Sequence, residues 1–245
     1  MKLTMLGTSH GVPSKTRYCS SYMLEAGGNI YIFDGGAPVI DLLLRKGKDL
    51  TKVKAFFNTH FHSDHILGIL SMVTLFGWYY KETDIDILLP DEKNKNIFID
   101  FINSTANAGI PNERIRIEAF KEGTIFDDGV IRVQAIPTNH KCGNGNRAYA
   151  FFIEAEGKSV LYTGDMSAEL DDFPKVAFDR FIDVIISECA HFPVRSLEEY
   201  MNRVNTHTFV VSHVFPLSKI NEIEAIADKY DFEVLAAADD DEIEF

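Results

Sequence analysis

In the stretch FFNTHFHSDHILGI, residues 56–69, three histidines and an aspartate fall within six positions directly behind an apolar run, in a chain that has eight histidines in all. Imidazole nitrogens and carboxylate oxygens together suit zinc and other first-row divalent ions. His60 and His62 are two apart, so on an extended segment they point to the same side. Asp64 and His65 follow where a strand turns into a helix and can reach toward a second ion. Three further apolar strands end in a metal-capable residue: AIPTNH in His140, LYTGD in Asp165 and VVSH in His213. A group of His60, His62 and His140 beside a group of Asp64, His65 and His213, with Asp165 between them, would leave each ion the open position that hydrolysis requires. A lone histidine at a strand end is usually structural. A dense motif with three ordered partners is not, because buried polar side chains without partners are costly.

The elements that must position these residues read as follows. KLTMLG, SSYMLEA and NIYIFDGG are short strands, the last two joined by a GGN hairpin signal, and APVIDLLLRKG has helical spacing that stops at glycine. VKAFFNTH is a buried strand; Ile66 to Tyr80 predicts one long helix, then strand DIDILLP and a helix over NKNIFIDFINSTANAG. Strands resume at RIRIEAF, VIRVQAIPTNH, RAYAFFIEA and SVLYTGD. The last third alternates a helix near Leu170 to Phe178, strand DVIISE, helix SLEEYMNRV, strand THTFVVSH, helix SKINEIEAIADKY and strand FEVLAAA. This order predicts an α+β fold in which two mixed sheets pack face to face with helices outside, a four-layer αββα sandwich. Without an internal repeat, linker or composition break, residues 1–245 are expected to form a single domain.

Composition narrows the partners. The chain has 46% apolar and 25% charged residues, ordinary for a globular protein, and no apolar run long enough to span a membrane. The opening MKLTMLGTSHG lacks the apolar region and cleavage site of a secretory signal, so a cytoplasmic location is expected. Cys19, Cys142 and Cys189 form no C-x-x-C pair, which argues against disulfides and a cysteine-based zinc site. The net charge of −13 repels long polyanions, so a long nucleic acid is disfavoured.

The histidine motifs resemble those of the metallo-β-lactamase superfamily. Its H-x-H-x-D-H stands here as His60, His62, Asp64 and His65, with His140, Asp165 and His213 at its later ligand positions. The resemblance implies the superfamily fold, two divalent ions with zinc or manganese as the candidates, and Asp34 of FDGG orienting the metal loop from behind. It also admits a homodimer. The opening LGTSHGVPS is similar to the G-T-[GS]-x-x-x-P signature of the phosphodiesterase branch, which includes ribonuclease Z and the accessory phosphodiesterase of carbon-phosphorus lyase. The tail AAADDDEIEF is similar to that branch's A-x-D-G-M-x-I, with Asp240 where glycine is common.

Three departures separate the chain from those two relatives. His140 and Asp165 are only 25 positions apart, leaving no room for ribonuclease Z's tRNA-gripping arm. SECAHF has Ser187 where that family has the histidine of H-E-A-T, although Glu188 is kept and His191 follows three positions later. The cysteine-rich metal loop of the accessory enzyme is absent. A small cyclic or linear phosphodiester is therefore the expected substrate, hydrolysed by metal-activated hydroxide, with Asp64 orienting the hydroxide and His191 or His10 available to protonate the leaving group. His10 and Arg147 are candidate substrate contacts, Trp78 to Tyr80 a candidate pocket wall, and His207 is assigned to structure. The alternatives are a thioesterase or lactonase of the glyoxalase II type on the same metals, and a metal-dependent sensor without catalysis.

Overall fold

Short apolar strands ending in polar turns produce a layered structure here. The computed structural model describes residues 1–12, 14–105, 109–143 and 145–245. The first half contains β1 (Lys2–Gly7), β2 (Ser21–Ala26), β3 (Asn29–Gly35), α1 (Val39–Arg45), β4 (Val53–Phe57), α2 (Ser63–Ile66), α3 (Ile69–Trp78), β5 (Ile85–Leu89), α4 (Glu92–Thr105) and β6 (Ile115–Ala119). The second half contains β7 (Gly123–Asp127), β8 (Ile131–Thr138), β9 (Ala148–Ala155), β10 (Lys158–Tyr162), α5 (Val176–Asp179), β11 (Ile182–Cys189), α6 (Val194–Met201), β12 (Thr206–Val214), α7 (Lys219–Ile226), β13 (Glu233–Ala236) and β14 (Glu242–Glu244).

The strands form two seven-stranded mixed sheets, ordered β14-β1-β2-β3-β4-β5-β6 and β13-β12-β11-β10-β9-β8-β7. In the first, β3 to β6 run parallel. In the second, β10 to β13 run parallel, and β8 shares their direction because it is antiparallel to β9, which is antiparallel to β10. The carboxyl ends of β4, β8, β10 and β12 precede His60, His140, Asp165 and the turn after His213. Parallel strands put such ends on one edge, where open sheets place ligand sites.

Three apolar cores separate four layers. Leu3, Tyr22, Phe33, Phe57, Phe151 and Tyr162 fill the space between the sheets. Leu43, Phe56, Ile69, Val73 and Phe98 bind α1, α3 and α4 to the first sheet, and Leu161, Ala177, Ile185, Leu197, Phe209 and Ile223 bind α5 to α7 to the second. The expected αββα sandwich of two mixed sheets is therefore the observed fold. Among the described residues no helix is long and apolar enough to cross a membrane.

Several local expectations need correction. The single helix expected from Ile66 to Tyr80 is two helices: Gly68 passes so close to the chain that a Cβ there would lie 1.6 Å from the Ala37 carbonyl oxygen. Its amide donates to the Gly35 carbonyl at 2.7 Å, which ties the metal-motif helix to the end of β3. The helix expected over Leu170 to Phe178 shrinks to Val176–Asp179, since Leu170 takes a left-handed φ of 54° and Pro174 intervenes. The edge strands β7 and β14 are additions. The end of the predicted NKNIFIDFINSTANAG helix, Ala106 to Ala108, and Pro13 of the opening signature lie outside the described residues.

Candidate metal centre

Each candidate ligand sits at or just beyond the end of a strand or on the short helix that follows one. Around Asp165 they divide into two groups. On one side, His62 Nδ1 lies 3.0 Å from His60 Nε2 and 3.3 Å from His140 Nε2. Asp165 Oδ2 lies 3.6 Å from His60 Nε2 and 3.7 Å from His140 Nε2. On the other, Asp165 Oδ1 lies 3.5 Å from His65 Nε2 and 3.4 Å from His213 Nε2. Asp64 Oδ2 completes that side at 3.7 Å from His65 Nε2 and 3.9 Å from His213 Nε2. The two oxygens of one buried carboxylate thus face two separate donor sets.

Four imidazoles are oriented by what holds their other nitrogen. His65 Nδ1 meets Asp34 Oδ2 at 2.7 Å, His213 Nδ1 meets Ser20 Oγ at 2.7 Å, His60 Nδ1 meets Thr59 Oγ1 at 3.1 Å and His140 Nδ1 meets the Met166 carbonyl at 3.2 Å. Carboxylates and carbonyls only accept, so His65 and His140 each keep a proton on Nδ1 and turn Nε2 inward. Asp34 is the anchor. Fully buried at the end of β3 with φ 55°, it also accepts from Asn58 Nδ2, Thr59 N, Thr59 Oγ1 and Tyr162 OH at 2.6 to 3.1 Å.

The donor set fits a pair of divalent cations. His65 Nε2, His213 Nε2 and Asp165 Oδ1 are buried without a hydrogen-bond partner, and all three point into the same space. Orphaned buried polar atoms are costly, and a cation satisfies them together. The separations also match: donors about 2.0 to 2.1 Å from a tetrahedral zinc lie roughly 3.3 to 3.4 Å from each other. Burial, reinforced by neighbouring imidazoles, holds His60 and His213 well below the usual histidine range and brings His140 down to about 4, so these rings are neutral and able to donate lone pairs at pH 7. Burial drives Asp165 up to about 8 against the opposing pull of His65. His65 goes up to about 10: burial works against protonation, but the Asp165 and Asp34 carboxylates outweigh it. The carboxylates therefore call for positive charge in the space they share with Nε2 of His65.

Beside this centre, a cavity of about 300 Å³ is lined by His62, His140, Lys141, His191 and the turn at residues 166–169. A larger surface hollow of about 410 Å³ is lined by the ion pairs of Met1 with Glu156 and Lys48 with Glu25 and gathers none of the candidate ligands. His191 Nδ1 approaches both oxygens of Glu188, at 2.7 and 2.9 Å, and its ring lies 4.7 Å from that of His140. Glu188 also accepts from Met166 N at 2.6 Å, next to Asp165. His10 stacks on Phe215 with centroids 4.9 Å apart and lies 5.2 Å from the His213 ring.

Comparison with known proteins now bears on this geometry. The family profile described as Anti-Pycsar protein Apyc1 matches residues 1–212. The chain belongs to the Anti-Pycsar protein Apyc1 family. This Apyc1-family chain is also 32% identical over 180 residues to ribonuclease Z of Methanothermobacter thermautotrophicus, covering 74% of the chain and 56% of that protein. It spans about half the length of the curated relatives it matches. Among solved structures it is similar to the metallo-β-lactamase fold protein YhfI of Bacillus subtilis (TM-score 0.77, 19% identity, 99% of both chains). It is likewise similar to a diphosphatase of the PhnP family (TM-score 0.74, 18% identity, 100% of this chain and 97% of that one). The fold is that of the metallo-β-lactamases, and the sequence kinship lies with the phosphodiesterase branch, as the opening and histidine motifs implied.

The seven candidate ligands, Asp34, Glu188, His191 and His10 all come together at this edge of the Apyc1-family fold. Arg147 does not: it is exposed and absent from the cavity lining. Trp78 and Tyr79 lie at the exposed end of α3 and do not wall the cavity either, while Tyr80 packs on Phe76. His207 packs edge-on against Phe181, 4.7 Å between centroids. Sequence reasoning missed Ser20, Thr59 and Tyr162, which hold His213, His60 and Asp34. Tyr162 had a signal, lying at a strand end three residues before Asp165; Ser20 had none. It also missed Asp172, whose Oδ2 accepts from Asn139 N at 2.6 Å and Ser167 N at 3.0 Å and so binds the His140 turn to the turn after Asp165.

Proposed function

We propose that this protein is a dinuclear metal-dependent hydrolase of small phosphodiesters. The observation that supports it most is Asp165, whose two oxygens lie 3.4 to 3.7 Å from His60 and His140 on one side and from His65 and His213 on the other. These seven side chains would hold two divalent cations, zinc or manganese. When bound, the cations supply Lewis acidity for a non-bridging oxygen and lower the pKa of water from 15.7 toward about 7.

The chain's own residues do the rest. Asp64, half-buried beside His65 and His213, accepts a hydrogen bond from the attacking water and aims its lone pair at phosphorus. The imidazole Nδ1 of His191 stays on Glu188, leaving Nε2 to carry the proton for the departing oxygen. Burial opposes protonation of His191, but the Glu188 hydrogen bond and charge raise its pKa, which suits an acid near neutral pH. His10, held against Phe215 with its ring 5.2 Å from that of His213 and 6.0 Å from that of His191, is a further contact for the ester. The cavity of about 300 Å³ is in the range of small-ligand sites, and the −13 net charge disfavours a polymer. β9 and β10 take up most of the interval between His140 and Asp165, so among the described residues no arm is present there to grip a long RNA.

The test is a paired assay on metal-loaded protein with bis-p-nitrophenyl phosphate and an acyl-glutathione thioester. Chelator-sensitive phosphodiester turnover is expected. Thioester turnover alone would assign the site to the glyoxalase II type of chemistry, and metal binding without any turnover would assign it to sensing.

A further inference from the structure

The turn that presents His191 is gripped from two sides by opposite charges. On one side Glu188, buried at the end of β11, accepts from Ala190 N at 3.0 Å and His191 N at 3.2 Å. On the other, the Lys219 ammonium donates to the carbonyls of Cys189 at 2.8 Å, Ala190 at 3.2 Å and Phe192 at 2.7 Å. An ammonium has three N–H donors, and here three carbonyls take them. In a peptide unit N–H and C=O point in opposite directions, so a turn with its amides on a carboxylate and its carbonyls on an ammonium is oriented as a dipole between two charges. Helix stability does not explain this lysine: it is the first residue of α7, where a cation opposes the helix dipole. The loop that delivers it also carries Phe215, the ring under His10.

We propose that Lys219 is a positioning residue for His191, fixing the 189–192 turn so that the imidazole faces the substrate cavity in one orientation. The proposal rests on the reading of His191 as proton donor in a phosphodiesterase. Lys219→Met keeps the aliphatic stem and removes the ammonium, while Lys219→Arg keeps the charge and donors. Two substrates separate the roles: bis-p-nitrophenyl phosphate, whose p-nitrophenolate leaves without a proton, and a ribonucleoside cyclic monophosphate, whose alkoxide needs one.

In metal-loaded full-length protein, Lys219→Met is expected to lower kcat on the cyclic ester by roughly 10- to 100-fold, part of what a general acid contributes. KM, metal content and turnover of the p-nitrophenyl ester should stay within about 3-fold, and Lys219→Arg should restore most of the loss. The Nδ1–H resonance of His191 in ¹⁵N-histidine-labelled protein gives a readout without substrate. It should be sharp in the wild type and Lys219→Arg, and shifted or broadened in Lys219→Met. An unchanged resonance in Lys219→Met overturns the proposal whatever the assays give. A perturbed resonance in protein that hydrolyses neither ester upholds the positioning role and rejects the phosphodiesterase reading. Equal losses on both substrates, with metal released, overturn it in favour of a general structural role.

Discussion

Replacing Asp34 by asparagine tests whether the centre is built from behind. The substitution is nearly isosteric, and asparagine tolerates the left-handed φ of 55° at this position, so the backbone is not the target. The hydrogen bonding is. Asp34 Oδ2 accepts from Thr59 Oγ1, Tyr162 OH and His65 Nδ1, and Oδ1 from Asn58 Nδ2 and Thr59 N. If the new NH2 group faces Thr59 N, two donors meet in a buried site and neither can turn away. If it faces His65, the imidazole must accept at Nδ1, which puts its proton on Nε2 and removes the lone pair from the centre. Either arrangement leaves at least one buried group unsatisfied, at about 1 to 3 kcal/mol, and weakens charge-assisted bonds worth about 1.5 to 3 kcal/mol each. A loss of roughly 2 to 5 kcal/mol in apo stability and a 10- to 100-fold loss in metal affinity follow. Urea denaturation of the apo protein and chelator competition for zinc measure the two. Wild-type zinc affinity together with unchanged stability would refute the reasoning.

Asp64→Ala should retain the fold and lose most hydrolysis, checked by circular dichroism and bis-p-nitrophenyl phosphate turnover; an active variant would contradict the two-metal proposal. Arg147→Ala should leave kcat/KM within about 2-fold, because an exposed side chain outside the cavity makes no substrate contact. Gly68→Ala should destabilise by about 2 kcal/mol or more and reduce metal content, since its Cβ would meet the Ala37 and Gly35 carbonyl oxygens at 1.6 and 2.7 Å. Asp183 lies away from the centre and has a folded pKa below 3.8: burial raises it, but hydrogen bonds from Ser159 and the Lys158 charge outweigh that. Its contribution is thus present above the unfolded value and lost as pH falls through the folded one. Asp183→Asn should destabilise at pH 7 and cease to matter in strong acid, as urea midpoints across pH would show.

The grouping of the candidate ligands was legible because metal chemistry restricts residue type: few side chains can replace the four in HFHSDH. The layers were legible because alternating apolar strands and periodic helices must bury their faces. Sheet order was not, since it depends on pairing between distant segments such as β1 with β14. The break between α2 and α3 was hidden because Ile66 to Tyr80 keeps its apolar spacing while backbone crowding at Gly68 sets the boundary. The tail shows an intermediate case: Asp240 adopts φ 73°, the left-handed region that favours the glycine of the tail motif it resembles. Ser20 and Lys219 act through partners far along the chain, and nothing local in the sequence marks such residues.

The proposal of a hydrolase built on two cations rests on seven side chains gathered from both sheets at one edge of the sandwich. Its most direct test is metal content by mass spectrometry on protein purified without added metal, with bis-p-nitrophenyl phosphate hydrolysis measured before and after chelation. About two metals per chain, with turnover lost to chelator and restored by zinc or manganese, is the predicted result. Protein that neither retains nor takes up metal would contradict the account at its base.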